Sequence, residues 1–64
     1  MSMMTGKEME YAQKMLAHYK RLLAKNDTAF QNGVIPYDAW EEKSEQYEEA
    51  IGDYEALLRN LQAR

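Results

Sequence analysis

The chain has 64 residues, a formal net charge of −3, no cysteine and one histidine. This length admits a single domain, and so small a domain usually needs a disulfide, a metal or a partner chain to be stable. The absence of cysteine excludes disulfides, and a lone His18 disfavours a metal site of the usual His and Cys type. The composition therefore predicts self-association, and we expect no cofactor.

The N-terminal stretch MSMMTGKEME has no continuous apolar run after a basic start. It does not match a secretory signal peptide, and no part of the chain approaches the roughly 20 apolar residues of a membrane helix. The lack of cysteine fits a reducing compartment. We expect a cytoplasmic protein that does not contact a membrane.

The first predicted element is a helix over about residues 6–32. Thr5, followed three residues later by Glu8, matches the capping-box pattern and places the start of this helix near Gly6 or Lys7. No proline interrupts the sequence after this start until the stretch that follows the helix.

The stretch NGVIPYDAWEEK, residues 32–43, holds the single proline of the chain and one of its three glycines. Gly33 suits the left-handed conformation that closes a helix, and either Val34 or Ile35 is then placed to fold back over the last turn. Pro36 cannot continue a helix but can begin one, because the N–H that it lacks would be unpaired in a first turn. The stretch therefore ends one helix and starts another.

The second predicted helix covers about residues 37–63, with Asp38 in its first turn, where negative charge is favoured. The connection of about four residues, 33–36, is typical of an antiparallel helical hairpin. The pattern G-x-I-P-x-D-x-W across it resembles the turn of short helical modules such as the SHOCT family. That resemblance spans about a dozen residues and implies the hairpin turn alone.

Apolar residues at heptad spacing define the surface through which the two helices meet, here called the seam. Its positions are Met9, Ala12, Leu16, Tyr19, Leu23, Asn26 and Phe30 in the first helix, and Tyr37, Trp40, Ser44, Tyr47, Ile51, Tyr54, Leu58 and Leu61 in the second. The turn pairs residues whose numbers add to about 70. Asn26 and Ser44 then lie opposite each other, and we expect a hydrogen bond between them, because each is costly to bury alone. The aromatic seam residues should fill the core.

The two sides of the seam differ in polarity. One side, here called the apolar flank, carries Met15, Leu22, Ala50 and Leu57, with Ala29 and Lys43 nearest the turn; the other carries Gln13, Lys20, Asp27, Glu41, Glu48 and Glu55. A two-helix hairpin cannot cover an apolar flank by itself. We therefore expect a homodimer that forms an antiparallel four-helix bundle, with Met15, Leu22, Ala50 and Leu57 as the dimer interface.

Charge is also uneven along the chain. The first 32 residues carry five bases and three acids, a charge of +2, and the remaining residues carry three bases and eight acids, a charge of −5. The densest group of one sign is the acidic surface, which we define as Glu41, Glu45, Glu48 and Glu49, with Trp40 beside it at the hairpin tip. Such a group attracts a basic protein or mimics phosphates. The alternative is a solvated surface, since Glu is common on exposed helices.

The first helix carries a basic face, defined as Tyr11, Lys14, His18, Arg21 and Lys25. We expect Tyr11 to point away from the seam. Lys and Arg bind phosphates and Tyr stacks on bases, so this face is the alternative site, for nucleic acid. The simpler interpretation is a solvated face that balances the acidic second helix. In length and plan the chain resembles the Rop family of plasmid RNA-binding regulators, which implies RNA binding on a helical face of a four-helix dimer.

Enzymatic chemistry is disfavoured. A di-iron site in a helical bundle needs inward Glu-x-x-His, and the residue three before His18 is Met15. A bundle of this size also offers no cleft for an acid or base. We expect a non-enzymatic, homodimeric protein-binding module that inhibits or adapts a larger protein, similar in size and acidity to small inhibitors from phages and mobile elements. A structural assembly element remains a further alternative.

Overall fold

The structure is a computed structural model that describes the backbone of residues 2–63 and the side chains of residues 6–63. It contains two helices, α1 (Ser2–Gln31) and α2 (Tyr37–Gln62), which pack against each other along their length. The hairpin measures 48 × 14 × 11 Å. The predicted all-α helical hairpin is therefore confirmed.

The first helix starts earlier than expected. It begins at Ser2 rather than near Gly6, so the backbone of Thr5 lies within the helix and not at its N-terminal cap. The Thr5 side chain, on which the capping-box prediction depended, lies outside the described residues. The extension is physically reasonable because methionine favours helix and a glycine within a helix costs only about 1 kcal/mol relative to alanine.

The turn closes α1 with a left-handed glycine, as predicted. Gly33 has φ 74°, and its N–H donates to the Phe30 carbonyl at 3.0 Å. The Val34 N–H donates to the Ala29 carbonyl at 2.8 Å. These two bonds form a Schellman motif, which satisfies carbonyl groups at the helix end. The Val34 side chain is 73% exposed, whereas Ile35 is half-buried, so Ile35 is the residue that the hairpin partly covers.

The second helix begins immediately after Pro36, whose φ of −73° and ψ of 165° are extended. The Pro36 carbonyl accepts the first bond of the new helix, from the Trp40 N–H at 3.1 Å. Asp38 lies in the first turn of α2 and Arg59 in the last, so both charges complement the helix dipole. The sequence from Gly33 to Pro36 thus reverses the chain within the predicted connection.

The seam is the contact surface between the helices, and the predicted register is correct. The Asn26 amide donates to the Ser44 hydroxyl at 3.1 Å, and Phe30 stacks on Trp40 with ring centroids 4.9 Å apart. Of the fifteen seam residues, all but Tyr37 are buried or half-buried. Tyr37 is 54% exposed, so its prediction as a core residue is wrong. In this register the residue opposite Tyr37 would be residue 33, and α1 has already ended before that residue.

The core is thin. Among the described side chains only Ala12, Ser44 and Leu61 are buried, and none of the larger ones is fully enclosed. Two helices in contact along a single line leave each large seam residue open on one side, because no third element covers it. The hairpin therefore exposes much of the apolar surface that its seam and the apolar flank contain.

Candidate functional site

The acidic surface lies open to solvent. Its four carboxylate residues follow one another at spacings of four, three and one along α2, and all four are exposed. From Glu41 to Glu49 the helix rises about 12 Å, so the four charges act on a partner as one group. The helices meet through the seam, so packing of the hairpin leaves these carboxylates free.

Tyr37 lies beside the acidic surface and was not predicted to belong to it. Its hydroxyl donates a 2.6 Å hydrogen bond to Oε2 of Glu41. This bond and the negative charge of Glu41 raise the pKa of the Tyr37 hydroxyl, with smaller contributions from burial and from Asp38 and Glu45. The four-residue spacing from Tyr37 to Glu41 is a signal that sequence analysis overlooked, because residues at this spacing are neighbours on a helix.

Trp40 contacts α1 and so stabilises the hairpin. Its indole N–H donates to Oδ1 of Asp27 on α1 at 2.8 Å, and one face of its ring stacks on Phe30. The residue is half-buried, and Tyr37 lies at its edge with ring centroids 5.5 Å apart. Trp40 thus holds the tip of the hairpin together, and Tyr37 is the aromatic side chain that the tip exposes next to the carboxylates.

The five residues of the basic face are all exposed, as expected, but Tyr11 does not point away from the second helix. Its ring lies edge-on to Tyr54 of α2, with centroids 6.2 Å apart. The hydrogen-bonding interaction between the Tyr11 and Tyr54 hydroxyls, followed by burial, raises the pKa of Tyr54. The expectation for Tyr11 is therefore wrong, because a long tyrosine beside the seam reaches across to the other helix.

Four tyrosines form a row that alternates between the helices, here called the tyrosine ladder: Tyr47, Tyr19, Tyr54 and Tyr11. Successive ring centroids lie 6.2, 6.0 and 6.2 Å apart. Such distances are typical of favourable aromatic pairs. The seven-residue spacing of Tyr47 and Tyr54 was a visible signal for part of this row. No pattern in the sequence predicted that Tyr11 belongs to this row, because Tyr11 lies off the seam.

The tyrosine ladder and the apolar flank share one side of the hairpin. Met15 lies four residues from both Tyr11 and Tyr19, and residues at this spacing adjoin on a helix. On α2, Ala50 and Leu57 each follow a ladder tyrosine by three residues. Leu57 is 37% exposed, and Met15, Leu22 and Ala50 are half-buried. The two features together make one broad, mostly apolar surface.

A shallow surface depression of about 310 Å³ is lined by Lys7, Glu10, Tyr11 and Lys14, all from α1. Within residues 6–63, no three His, Asp or Glu side chains come together in a way that would hold a metal ion. Neither α1 nor α2, over the range that the structure describes, is long and apolar enough to cross a membrane.

Comparison with known protein families, with curated proteins and with solved structures gives no match.

Proposed function

We propose that this protein is a homodimeric protein-binding module that presents the acidic surface of α2 to a basic surface on a larger protein, and so inhibits or adapts that protein. The observation that carries the proposal is the exposure of all four carboxylates, Glu41, Glu45, Glu48 and Glu49, on a folded hairpin. Four clustered carboxylates attract a basic partner and speed its association.

The charge of the chain favours a protein over a nucleic acid as the partner. Nucleic-acid binding is dominated by contacts of Lys and Arg with phosphates, and the formal net charge here is −3. The basic face does supply four cationic or titratable side chains, but Tyr11, the one aromatic that would stack on a base, lies against Tyr54. Contact with a basic protein therefore agrees better with the surfaces of the hairpin.

The thin core supports the homodimer. The accessible surface of the chain is 4968 Å², whereas a compact protein of this mass exposes about 4250 Å². The difference, about 700 Å², is close to the roughly 800 Å² that each partner buries in a standard protein interface. The surface formed by the apolar flank and the tyrosine ladder is the apolar area that a second copy would cover.

Capture experiments with charge-reversed variants test the protein-binding proposal. Tagged protein is incubated with an extract of its host, and bound proteins are identified by mass spectrometry. We expect Glu45→Lys with Glu48→Lys to lose a captured protein, while Glu8→Lys with Glu10→Lys, which changes net charge equally through exposed acids of α1, retains it. Both variants should keep wild-type helicity, because all four side chains are exposed.

One pattern of results would assign the binding site to the basic face instead of the acidic surface. Unchanged capture by the folded Glu45→Lys and Glu48→Lys variant, together with lost capture by a Tyr11→Ala and Arg21→Ala variant that has the same mass in solution as the wild type, assigns the site to the basic face. The acidic surface would then be a solvated surface. Equal loss in both charge-reversed variants would show dependence on net charge alone and would contradict a localised acidic site.

A further inference from the structure

We propose that the two copies of the hairpin pack through the surface formed by the apolar flank and the tyrosine ladder, with both hairpin tips at the same end of the dimer. In this arrangement α1 of each copy lies against α2 of the other. The inference rests on the homodimer of the proposed function and adds the contact face and the relative orientation of the two copies.

The contact face follows from which apolar groups the hairpin leaves open. Met15, Leu22 and Ala50 remain half-buried, Leu57 is 37% exposed, and the adjoining Tyr11 is 56% exposed. The opposite side of the seam carries Gln13, Lys20, Glu41, Glu48 and Glu55, all exposed. Burying that charged side against a copy of itself would desolvate carboxylates without adding apolar contact. A dimer in which the second copy covers the apolar flank is therefore more stable than one in which it covers the charged side.

Two-fold symmetry leaves two ways to place one hairpin face to face on another. If the symmetry axis runs parallel to the helices, the tips meet at one end and α1 faces α2 of the second copy. If the axis runs across the helices, the tips lie at opposite ends and each helix faces its own counterpart. Both arrangements bury the same face and keep neighbouring helices antiparallel, so apolar contact does not distinguish them.

Charge distinguishes the two arrangements. Beside the surface formed by the apolar flank and the tyrosine ladder, α1 carries the exposed cations Lys14, Arg21 and Lys25. The corresponding outer positions of α2 carry the exposed acids Glu42, Glu49 and Asp53. Tips at the same end set the bases of one copy along the acids of the other. Tips at opposite ends set bases along bases and acids along acids, and like charges at close range are unfavourable.

The observed register aligns these charges along the helix axis. Residues at one level of the hairpin have numbers that add to about 70, as Asn26 and Ser44 show. A two-fold axis parallel to the helices keeps each residue at its level, so Arg21 stands level with Glu49 of the second copy. Lys25 lies within three residues of the level of Glu42 of the second copy, and Lys14 lies within three residues of the level of Asp53. Opposite charges thus meet in register along both edges of the interface.

Spin-label distances test the orientation, and the lack of native cysteine allows single labels. A label at Val34→Cys, at the exposed tip, should report an intermolecular distance below about 30 Å, because packed helices lie about 8–10 Å apart and each label adds its own length. With tips at opposite ends, the same label would report a distance near the 48 Å length of the hairpin. A distance of that size overturns the inference.

Two further measurements separate failure of the inference from failure of the proposed function. A label at Ala17→Cys, exposed near the middle of α1, should give similar distances in either arrangement and confirms that labelled protein dimerises. Sedimentation equilibrium on the same samples gives the mass. A dimer with distant tips overturns the orientation and leaves the homodimer intact. A folded monomer at micromolar concentration overturns both the homodimer and this inference, and leaves the apolar face open to a larger protein.

Discussion

The side-chain amide of Asn26 on α1 donates a 3.1 Å hydrogen bond to the hydroxyl of Ser44 on α2. The same amide nitrogen also donates to the Trp40 carbonyl at 3.0 Å, so both of its N–H groups are used. A shift of one helix by a heptad would place Asn26 opposite Ile51 or Tyr37 and leave the amide without this pair. The bond therefore specifies the register of the hairpin, as single polar residues do in coiled coils.

The first prediction concerns the energy of this bond. Asn26→Ala should lower the free energy of unfolding by about 1–3 kcal/mol, because it leaves Ser44 unpaired and opens a gap in the seam. Ser44→Ala should cost about 1 kcal/mol, and a double-mutant cycle should give a coupling of about 1 kcal/mol. Urea unfolding at one fixed protein concentration measures these values. A coupling near zero would mean that the bond is absent in solution.

The second prediction contrasts two glycines. Gly33→Ala should destabilise the hairpin by about 1 kcal/mol, because φ is 74° there and a Cβ disfavours that conformation. Gly52→Ala should stabilise it by up to about 1 kcal/mol, because Gly52 lies within α2 and an added Cβ meets nothing within 4 Å. Thermal unfolding of both variants reads out the difference. Changes of the same sign would contradict the assigned roles.

The third prediction concerns alkaline pH. The pKa of Tyr54 is raised in the folded protein above the ordinary value of 10.0, mainly by its hydrogen bond to Tyr11. A raised folded-state pKa stabilises the folded state below pH 10.0, and this contribution is lost as pH rises through the folded value. Stability should therefore fall as the pH rises above 10.0 and through the folded value, and less steeply in Tyr11→Phe. Urea midpoints across this range measure it; identical slopes in the two proteins would exclude the tyrosine pair as the cause.

The fourth prediction tests the dimer face. Leu22→Glu should dissociate the homodimer and lower helicity, because the new carboxylate would be buried at the interface without a partner charge. Ala24→Glu is the matched control, since Ala24 is exposed on the same helix and should leave the dimer intact. Sedimentation equilibrium gives mass and circular dichroism gives helicity. A Leu22→Glu variant that remains dimeric would place the interface elsewhere.

The fifth prediction separates protein binding from nucleic-acid binding. We expect no binding of RNA or DNA at micromolar protein, measured by fluorescence anisotropy at low and moderate salt. Phosphate contacts would make any affinity fall steeply with salt, because each contact releases counterions. The variant with Lys14→Glu and Arg21→Glu is the control. Salt-dependent binding that this variant loses would assign function to the basic face.

Local chemistry made much of the fold predictable from the sequence. Gly33 and Pro36 specify the end of one helix and the start of the next, because each restricts its own backbone. Heptad spacing then sets which residues face each other, and Asn26 opposite Ser44 followed from spacing alone. The exposure of the acidic surface followed from the same spacing, since residues off the seam of a two-helix hairpin remain in solvent.

Only the tertiary structure decided how long side chains are arranged across the helices. Tyr11 lies off the seam, yet its ring meets Tyr54; Trp40 lies on the seam, yet its N–H reaches Asp27 beside it. Periodicity describes where a Cβ leaves the helix, whereas a tyrosine or tryptophan places its polar end several ångströms further on. Tyr37 shows the converse case: its heptad position was correct, but α1 had already ended at that level, so the ring stayed exposed.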